Sequence, residues 1–433
     1  MPFEANYIAP RRIAVVGGGI SGMGAAHLLA DHHHVTLFEA EPRLGGHART
    51  IIAGKNGNQP VDTGFIVFNY VNYPHLTALF ERLAVPVTES DMSFGASLRG
   101  GAIEYGLADL DALFAQKKNA LRPAFLGMIR DILRFNNNAL HVANTHPEFT
   151  IGEFLAHLRL GEWFTNYYLL PLSGAIWSTP VEKILDFPAH AMIRFFENHA
   201  LLSHTGQHQW FTVEGGSVEY VKRLKASLET QGVSLRLGAP VEGVRRPAKG
   251  GAEVRVHGGE WEAFDEVVIA AHSDDALRLL ADPTPAEKAN LGAIRYQPND
   301  IVLHADEAIM PRSRKVWSSW NYVETEGKVS DRIDLTYWMN RLQPIPKSDP
   351  MFVTLNSTRP IRDDLIYDQT TLRHPVYDLG ALAAQSRINA TNGTNHTWFC
   401  GAWLRHGFHE DGLHSAVEVA RALRRSNVRI AAE

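Results

Sequence analysis

The chain has 433 residues, 45% of them apolar and 21% charged, with a net charge near −5. That length is more than one ordinary core, so two domains are expected. The acidic balance argues against nucleic-acid binding, and a single cysteine, Cys400, excludes an internal disulfide framework and fits a reducing compartment.

The N-terminal residues show no targeting segment, and no run reaches the ~18 apolar residues of a spanning helix. The expectation is a cytoplasmic protein that at most rests on the inner face of a membrane.

The first element is the β-branched run Ile13 to Val16, suited to a buried parallel strand. Gly17, Gly19 and Gly22 then form G-x-G-x-x-G, with Ser21 inside it. A helix follows through Ala25, Ala26, Leu28 and Leu29. Val35 to Phe38 is the next strand, and Glu39 closes it, twenty residues beyond Gly19. Such glycines permit a tight turn and close backbone approach to a pyrophosphate. The helix start offers N–H groups and a positive dipole end to the phosphates. An acid at Glu39 suits ribose hydroxyls and disfavours a 2′-phosphate. His32 to His34 sit at the intervening turn and are expected to be solvated.

A second glycine turn follows at once, with Arg43, Gly45, Gly46, His47, Arg49 and Thr50 in "EAEPRLGGHART". Gly45-Gly46 keeps a path of close backbone contact open, and Arg43 or Arg49 can pair a phosphate. Next, "VDTGFIVFN" carries Asp62, Gly64 and Phe65.

Residues 112–139 hold Leu121, Phe125, Met128, Ile132 and Phe135 at helical spacing, interspersed with Lys117, Lys118, Arg122, Arg130 and Arg134. That pattern fits a basic amphipathic helix on an anionic lipid surface, or equally a helix with one face in the core. Trp177, Trp317, Trp320, Tyr322, Tyr337 and Trp338 are candidates to line an apolar tunnel.

Ser217 is a plausible N-cap for a helix with Val218, Val221, Leu224 and Leu228 in its apolar stripe, ended by Gly232. Strands follow at Val233 to Leu237 and from Val241, then a turn, an alternating segment and the buried run "DEVVIAA". Near the chain end, "TWFCGAW" reads as a buried strand leading to Gly401, with Cys400 an inert core thiol. A helix starting at Gly412-Leu413 would present free N–H groups to an anion, or simply be capped by Asp411. His406, His409 and His414 flank that loop, and His409 is the candidate proton acceptor. His199, His204 and His208 lack metal-ligand spacing, so no metal is expected.

Together these motifs resemble the flavin enzymes of the glutathione-reductase and amine-oxidase type, where a G-G-[RH]-x-x-T turn recurs after the ribose acid. The implied fold class is α/β, a Rossmann-type FAD-binding domain with a second α+β substrate domain, amine-oxidase-like. The implied cofactor is FAD, non-covalent because no cysteine precedes the last strand. The resemblance also implies that Val241 contacts adenine through its backbone. It places the helix at Gly412-Leu413 against the N1–C2=O edge of the flavin. The FAD domain is then discontinuous, 1–75, 205–280 and 385–433, leaving 76–204 and 281–384 for substrate. His47 stands where many relatives have Arg, and Gly401-Ala402 where Gly-Glu or Gly-Asp is common.

"DTGFIVFNYVNYPHLTALFERLAVPVTESDMSFGAS", "LLPLSGAIWSTP", "QWFTVEGGSVEYVKRL" and "GFHEDGLHSAV" resemble more narrowly the FAD-dependent oxidoreductases associated with cyclopropane and furan fatty acid synthesis. They are similar to the N-terminal flavin domain of plant cyclopropane fatty acid synthases. That resemblance implies action on phospholipid acyl chains, by desaturation at an allylic C–H, beside a cyclopropane-synthase-like methyltransferase. Amine oxidation, double-bond isomerisation and a non-catalytic flavoprotein partner are the alternatives.

Overall fold

The run Ile13 to Val16 is buried along its length because it lies in the middle of a parallel sheet. In the computed structural model, which describes residues 9–177, 184–198, 201–202, 208–324 and 333–430, strand β1 (Arg12–Val16) leads through the glycine turn into helix α1 (Ile20–Leu29) and on to β2 (His34–Phe38). The five strands stand in the order Ser234–Arg236, β2, β1, Glu266–Ile269, Thr397–Phe399, all parallel. Such a sheet must be covered on both faces, which is why its strands read as continuous apolar runs. On one face lie α1, the helix Val218–Thr230 and the C-terminal helix His409–Ile430. The other face packs against an antiparallel trio, Val241–Arg245, Ala252–Val256 and Trp261–Phe264.

A second sheet of seven strands draws on residues 94–106 and 295–376. Its order is Ile366–Val376, Arg295–His304, Phe352–Leu355, Leu335–Trp338, Trp320–Val323, Phe94–Leu98, Ile103–Gly106. One pair, Trp320–Val323 with Phe94–Leu98, is parallel, and the other pairs are antiparallel. A helical layer covers part of it, with Phe125, Phe135, Phe154, Phe164 and Phe196 fully buried in one cluster.

The helix expected across 112–139 is broken into three pieces: Leu110–Leu113, a 3-10 turn Lys117–Leu121, and the helix Pro123–Thr145. Pro123 is the cause of the second break. It disfavours helical backbone at the residue before it, and Arg122 is extended at φ −97°, ψ 110°. Phe125, Met128 and Phe135 face the core as expected, whereas Leu121 is 85% exposed.

Candidate flavin site and active site

Gly17 turns the chain out of β1 at φ +111°, and its N–H donates to Phe38 O at 2.8 Å. A Cβ at Gly22 would stand 1.8 Å from Gly17 O, so only glycine lets α1 start this close to the strand. One oxygen of Glu39 reaches back into the turn, accepting from Gly18 N at 2.5 Å, and the other accepts from Glu41 N, two residues on, at 2.7 Å.

The second glycine turn lies directly on the first. Gly45 N–H donates to Gly18 O at 2.8 Å, and Gly19 and Gly45 form a parallel bridge. A Cβ at Gly46 (φ +54°) would sit 3.2 Å from Gly19 Cα. Two turns distant in sequence thus make one bare backbone wall. Arg43 braces it, donating to Gly46 O at 3.1 Å and Ala48 O at 3.3 Å and pairing with Glu41 at 3.0 Å. Arg49, the alternative phosphate partner, instead grips Asp368 with both terminal nitrogens, at 2.6 and 3.1 Å, which pins this turn to the second sheet. Ala239 N–H donates to Glu39 O, which brings Val241 to the Glu39 end of β2.

His47 is partly buried, and its Nε2 lies 3.2 Å from Arg373 O, an acceptor. Its ring packs near His272 at 5.7 Å and His374 at 5.6 Å. Burial, reinforced by neighbouring imidazoles, pushes His272 and His374 down to about 3, and burial lowers His47, so the trio is neutral. His272, Asp274 and Asp275 come close enough to suggest a cation site, but Arg373 bonds both carboxylates and supplies the positive charge. His199 and His204 lie outside the described residues.

Phe65 N–H donates to His47 O, which holds the segment Gly64-Phe65 along the second turn. Asp62, fully buried, accepts from Thr50 Oγ1 at 2.6 Å, from Ser217 N and Oγ at 2.9 and 2.7 Å, and from Gln343 Nε2 at 3.0 Å. Burial pushes its carboxyl up to about 6 against these hydrogen bonds. The Ser217 hydroxyl is therefore turned to Asp62, and Thr50 Oγ1 accepts from Val218 N in its place at the start of Val218–Thr230.

The C-terminal helix begins at His409, not at Gly412. The reason is Asp411, whose carboxylate accepts from Phe408 N at 3.0 Å and His406 N at 3.3 Å and folds the preceding loop back onto the first turn. Asp411 is thus inside the helix rather than its cap. Glu410, which carried no sequence signal, accepts from His75 N and Leu76 N and so caps the helix Pro74–Arg82. Burial pushes Glu410 up to about 7. Gly412 and Leu413 lie against α1: a Cβ at Gly412 would meet Ser21 Oγ at 2.8 Å, and a Cβ at Gly24 would meet Leu413 at 2.5 Å. Ser415 Oγ accepts from Gly401 N at 2.8 Å, fixing the strand exit to the same helix. The starts of α1 and of the C-terminal helix therefore converge beside Gly401.

His409 departs from the expectation of a proton acceptor. Its Nε2 lies 2.6 Å from the Tyr220 hydroxyl, and its ring stacks on Phe65 at 4.0 Å and 14°. Burial pushes it down to about 3. It is a neutral packing group whose ring nitrogen already has a partner. Tyr377 is the polar group that the sequence did not suggest. Its hydroxyl is buried without a hydrogen-bond partner among the described residues, and it faces Gly407 in the loop before the C-terminal helix.

The aromatic candidates divide by strand alternation. Trp320 and Tyr337 are cross-strand partners with ring centroids 5.6 Å apart, and both pack toward the helical cluster, as does Tyr322. Trp338, one residue on from Tyr337, points to the opposite face and packs with Trp317 and Phe352. Trp317 donates its indole N–H to Pro311 O. One tunnel cannot be lined by all five. The Trp177 side chain lies outside the described residues. In the same cluster as Trp320 and Tyr337, Phe195 stacks on Phe408, at 5.1 Å and 16°, which joins the helical cluster to the 401–408 loop.

The family model for flavin containing amine oxidoreductases matches residues 20–350. The chain belongs to that family. It is an FAD-dependent oxidoreductase of amine-oxidase fold. Hydroxyneurosporene desaturase of Cereibacter sphaeroides is 26% identical over 349 residues, covering 72% of this chain and 63% of that protein. Coproporphyrinogen III oxidase of Mycobacterium tuberculosis is 40% identical over 82 residues, 18% of this chain and 17% of that protein. The chain thus spans less than two thirds of the length of these relatives. Among solved structures, the CLA-producing fatty acid isomerase from P. acnes superposes with a TM-score of 0.69 at 14% identity, covering 95% of this chain and 98% of that one. Putrescine oxidase with bound putrescine gives 0.66 at 15% identity, covering 96% and 99%.

The residues present fit FAD. The bare wall of Gly17 to Gly19 and Gly45-Gly46 gives a side-chain-free cradle, and the N-terminus of α1 would face the pyrophosphate. Glu39 would serve the ribose, and the Gly401 to Leu413 region would flank the ring. The one cysteine, Cys400, is no attachment point for the flavin: it is wholly buried after the last strand and its thiol is pushed up to about 12. Among the described residues no helix is long and apolar enough to cross a membrane.

Proposed function

We propose that this flavoenzyme desaturates unsaturated acyl chains of phospholipids: an allylic C–H gives up a hydride, the next carbon loses a proton to solvent, and a conjugated diene is left, with oxygen as the terminal electron acceptor. Bound FAD supplies the hydride acceptor. In this reading residues 1–75, 205–280 and 385–433 hold the cofactor, and residues 76–204 and 281–384 hold the chain.

The observation that carries the reading is the Phe195–Phe408 stack. It sets an aromatic wall on the loop beside Gly401, with Trp320 and Tyr337 in the same apolar cluster. Such a wall suits an acyl chain and excludes water. An allylic C–H is weaker than an ordinary methylene C–H, so the reaction asks for positioning more than for acid–base groups. The neutral histidines around His47 and His409 accord with that. The similarity to a hydroxyneurosporene desaturase and to a fatty acid isomerase supports an unsaturated chain as substrate. The work of such an enzyme belongs at the cytoplasmic face of the inner membrane, beside a cyclopropane-synthase-like methyltransferase using the same lipids.

The test is to incubate the flavin-loaded protein in air with cis-unsaturated phospholipid and weigh the released chains. Desaturation removes two hydrogens and produces diene absorbance. A shifted double bond at unchanged mass would make it an isomerase. Bleaching of the flavin by amines but not by lipid would make it an amine oxidase. Bound flavin that neither reduces would leave a non-catalytic partner.

A further inference from the structure

We propose that the surface around the start of helix Pro123–Thr145 docks the protein onto an anionic phospholipid bilayer. The inference rests on the acyl-chain reading for its purpose, but on separate residues for its evidence.

Pro123 breaks the amphipathic pattern, and the break turns Leu121 outward to 85% exposure. Leu126 and Leu133 are also exposed, at 45% and 46%, and lie seven residues apart on one side of the helix. A soluble helix face normally carries charge there. Beside Leu121 runs a groove of about 500 Å3, with Ile103, Pro123 and Trp163 on its walls and Arg99 and Arg122 among its lining. Arg122 is held at the groove by Ala102 O and Asn119 Oδ1, both neutral acceptors.

The charge is one-sided. Lys117, Lys118, Arg122, Arg130 and Arg134 stand against a single acid, Asp131, between residues 117 and 134. Asp131 is buried, accepting from Gly161 N as well as from Arg130. Nearby Asp109 caps its own short helix, and Asp111 pairs with Lys315. On a chain whose net charge is −5, this local excess of cations is a departure from the whole. Exposed leucines to enter the acyl boundary, a tryptophan at the groove and cations to meet phosphates are the complement of an anionic membrane surface. The aromatic core beneath continues from Phe125 and Phe135 through Phe196 to Phe195 and Phe408, so the docked face and the proposed chain site share one cluster.

The experiment is flotation of the flavin-loaded full chain with phosphatidylcholine vesicles, with and without phosphatidylglycerol. Binding is expected to rise about tenfold with the anionic lipid and to fall with salt. Leu121→Asp and the double variant Lys117→Glu/Lys118→Glu should each lower it about tenfold while keeping full FAD content. Neither changes a buried residue. Equal binding to neutral and anionic vesicles, or variants that bind as wild type, would overturn the proposal. Equal capture of the protein by a DNA oligonucleotide would also overturn it, since the patch would then be a general polyanion surface. Turnover of a detergent-dispersed cis-unsaturated phospholipid is measured in parallel. It reports on the acyl-chain reading alone, so vesicle binding without turnover separates the two.

Discussion

Gly45 gives its backbone N–H to Gly18 O at 2.8 Å, and the two glycine turns become one surface. That contact is why a second turn follows the first so closely: a cofactor longer than a nicotinamide dinucleotide's phosphates needs a longer bare wall.

Substituting Gly46→Ala tests the wall. The backbone there is left-handed, which costs a side chain about 1–2 kcal/mol, and the new methyl would meet Gly19 Cα at 3.2 Å. The chain should fold and FAD affinity should fall about tenfold or more, equivalent to ~1.4 kcal/mol. Flavin fluorescence titration reads it. Unchanged affinity would mean that the second turn does not line the cofactor.

How much of this was legible depends on whether a residue's role is local. The strand, glycine turn, helix and Glu39 follow one another in the chain, so their pattern carried the first half of the site. The second turn was visible too, but its contact with Gly18 was not, because register between distant turns leaves no periodic mark. Asp62 was noticed for its motif, whereas its partner Gln343 stands 281 residues on, just past the short helix Met339–Leu342, a pairing that leaves no local mark. The environment of His409 was not legible, because one turn of extra helix, set by the Asp411 carboxylate, brings it to Tyr220. The split of Tyr337 from Trp338 was implicit in strand alternation once a strand was assigned there.

Removing the Asp62 acceptor should be costly. Asp62→Ala leaves Thr50, Ser217 and Gln343 with unmet buried donors, and a loss of about 2–4 kcal/mol is expected. Urea unfolding measures it. A change under about 0.5 kcal/mol, the size seen for ordinary surface sites, would show that the node does not tie together the segments around Thr50, Ser217 and Gln343.

His409 and Tyr220 give a kinetic contrast. A general base contributes about 10²–10⁴ in rate. Tyr220→Phe and His409→Phe should instead lower the melting temperature and leave turnover of the bound flavoenzyme within about threefold, well below that range. A hundredfold loss in turnover at unchanged stability would restore His409 as the proton acceptor.

The buried imidazoles set an acid limit. His272, His374 and His409 have folded values near 3, against an ordinary 6.5. As pH falls below 6.5 the unfolded chain takes up these protons first, so folding loses support progressively toward pH 3. Asp62 and Glu410, raised to about 6 and about 7, act the other way, favouring folding as pH drops through those values. Melting temperature against pH for wild type and His374→Asn separates them: the variant should decline less steeply below pH 6.5. Parallel curves would place His374 outside the neutral cluster.

The decisive measurement is titration of flavin-stripped protein with FAD, followed by flavin fluorescence and visible absorbance. The expected result is saturable binding of one FAD per chain with a shifted flavin spectrum, weakened by Gly46→Ala. A protein that stays colourless and leaves free FAD fluorescence unquenched would contradict the reading of the two glycine turns and of every reaction built on them.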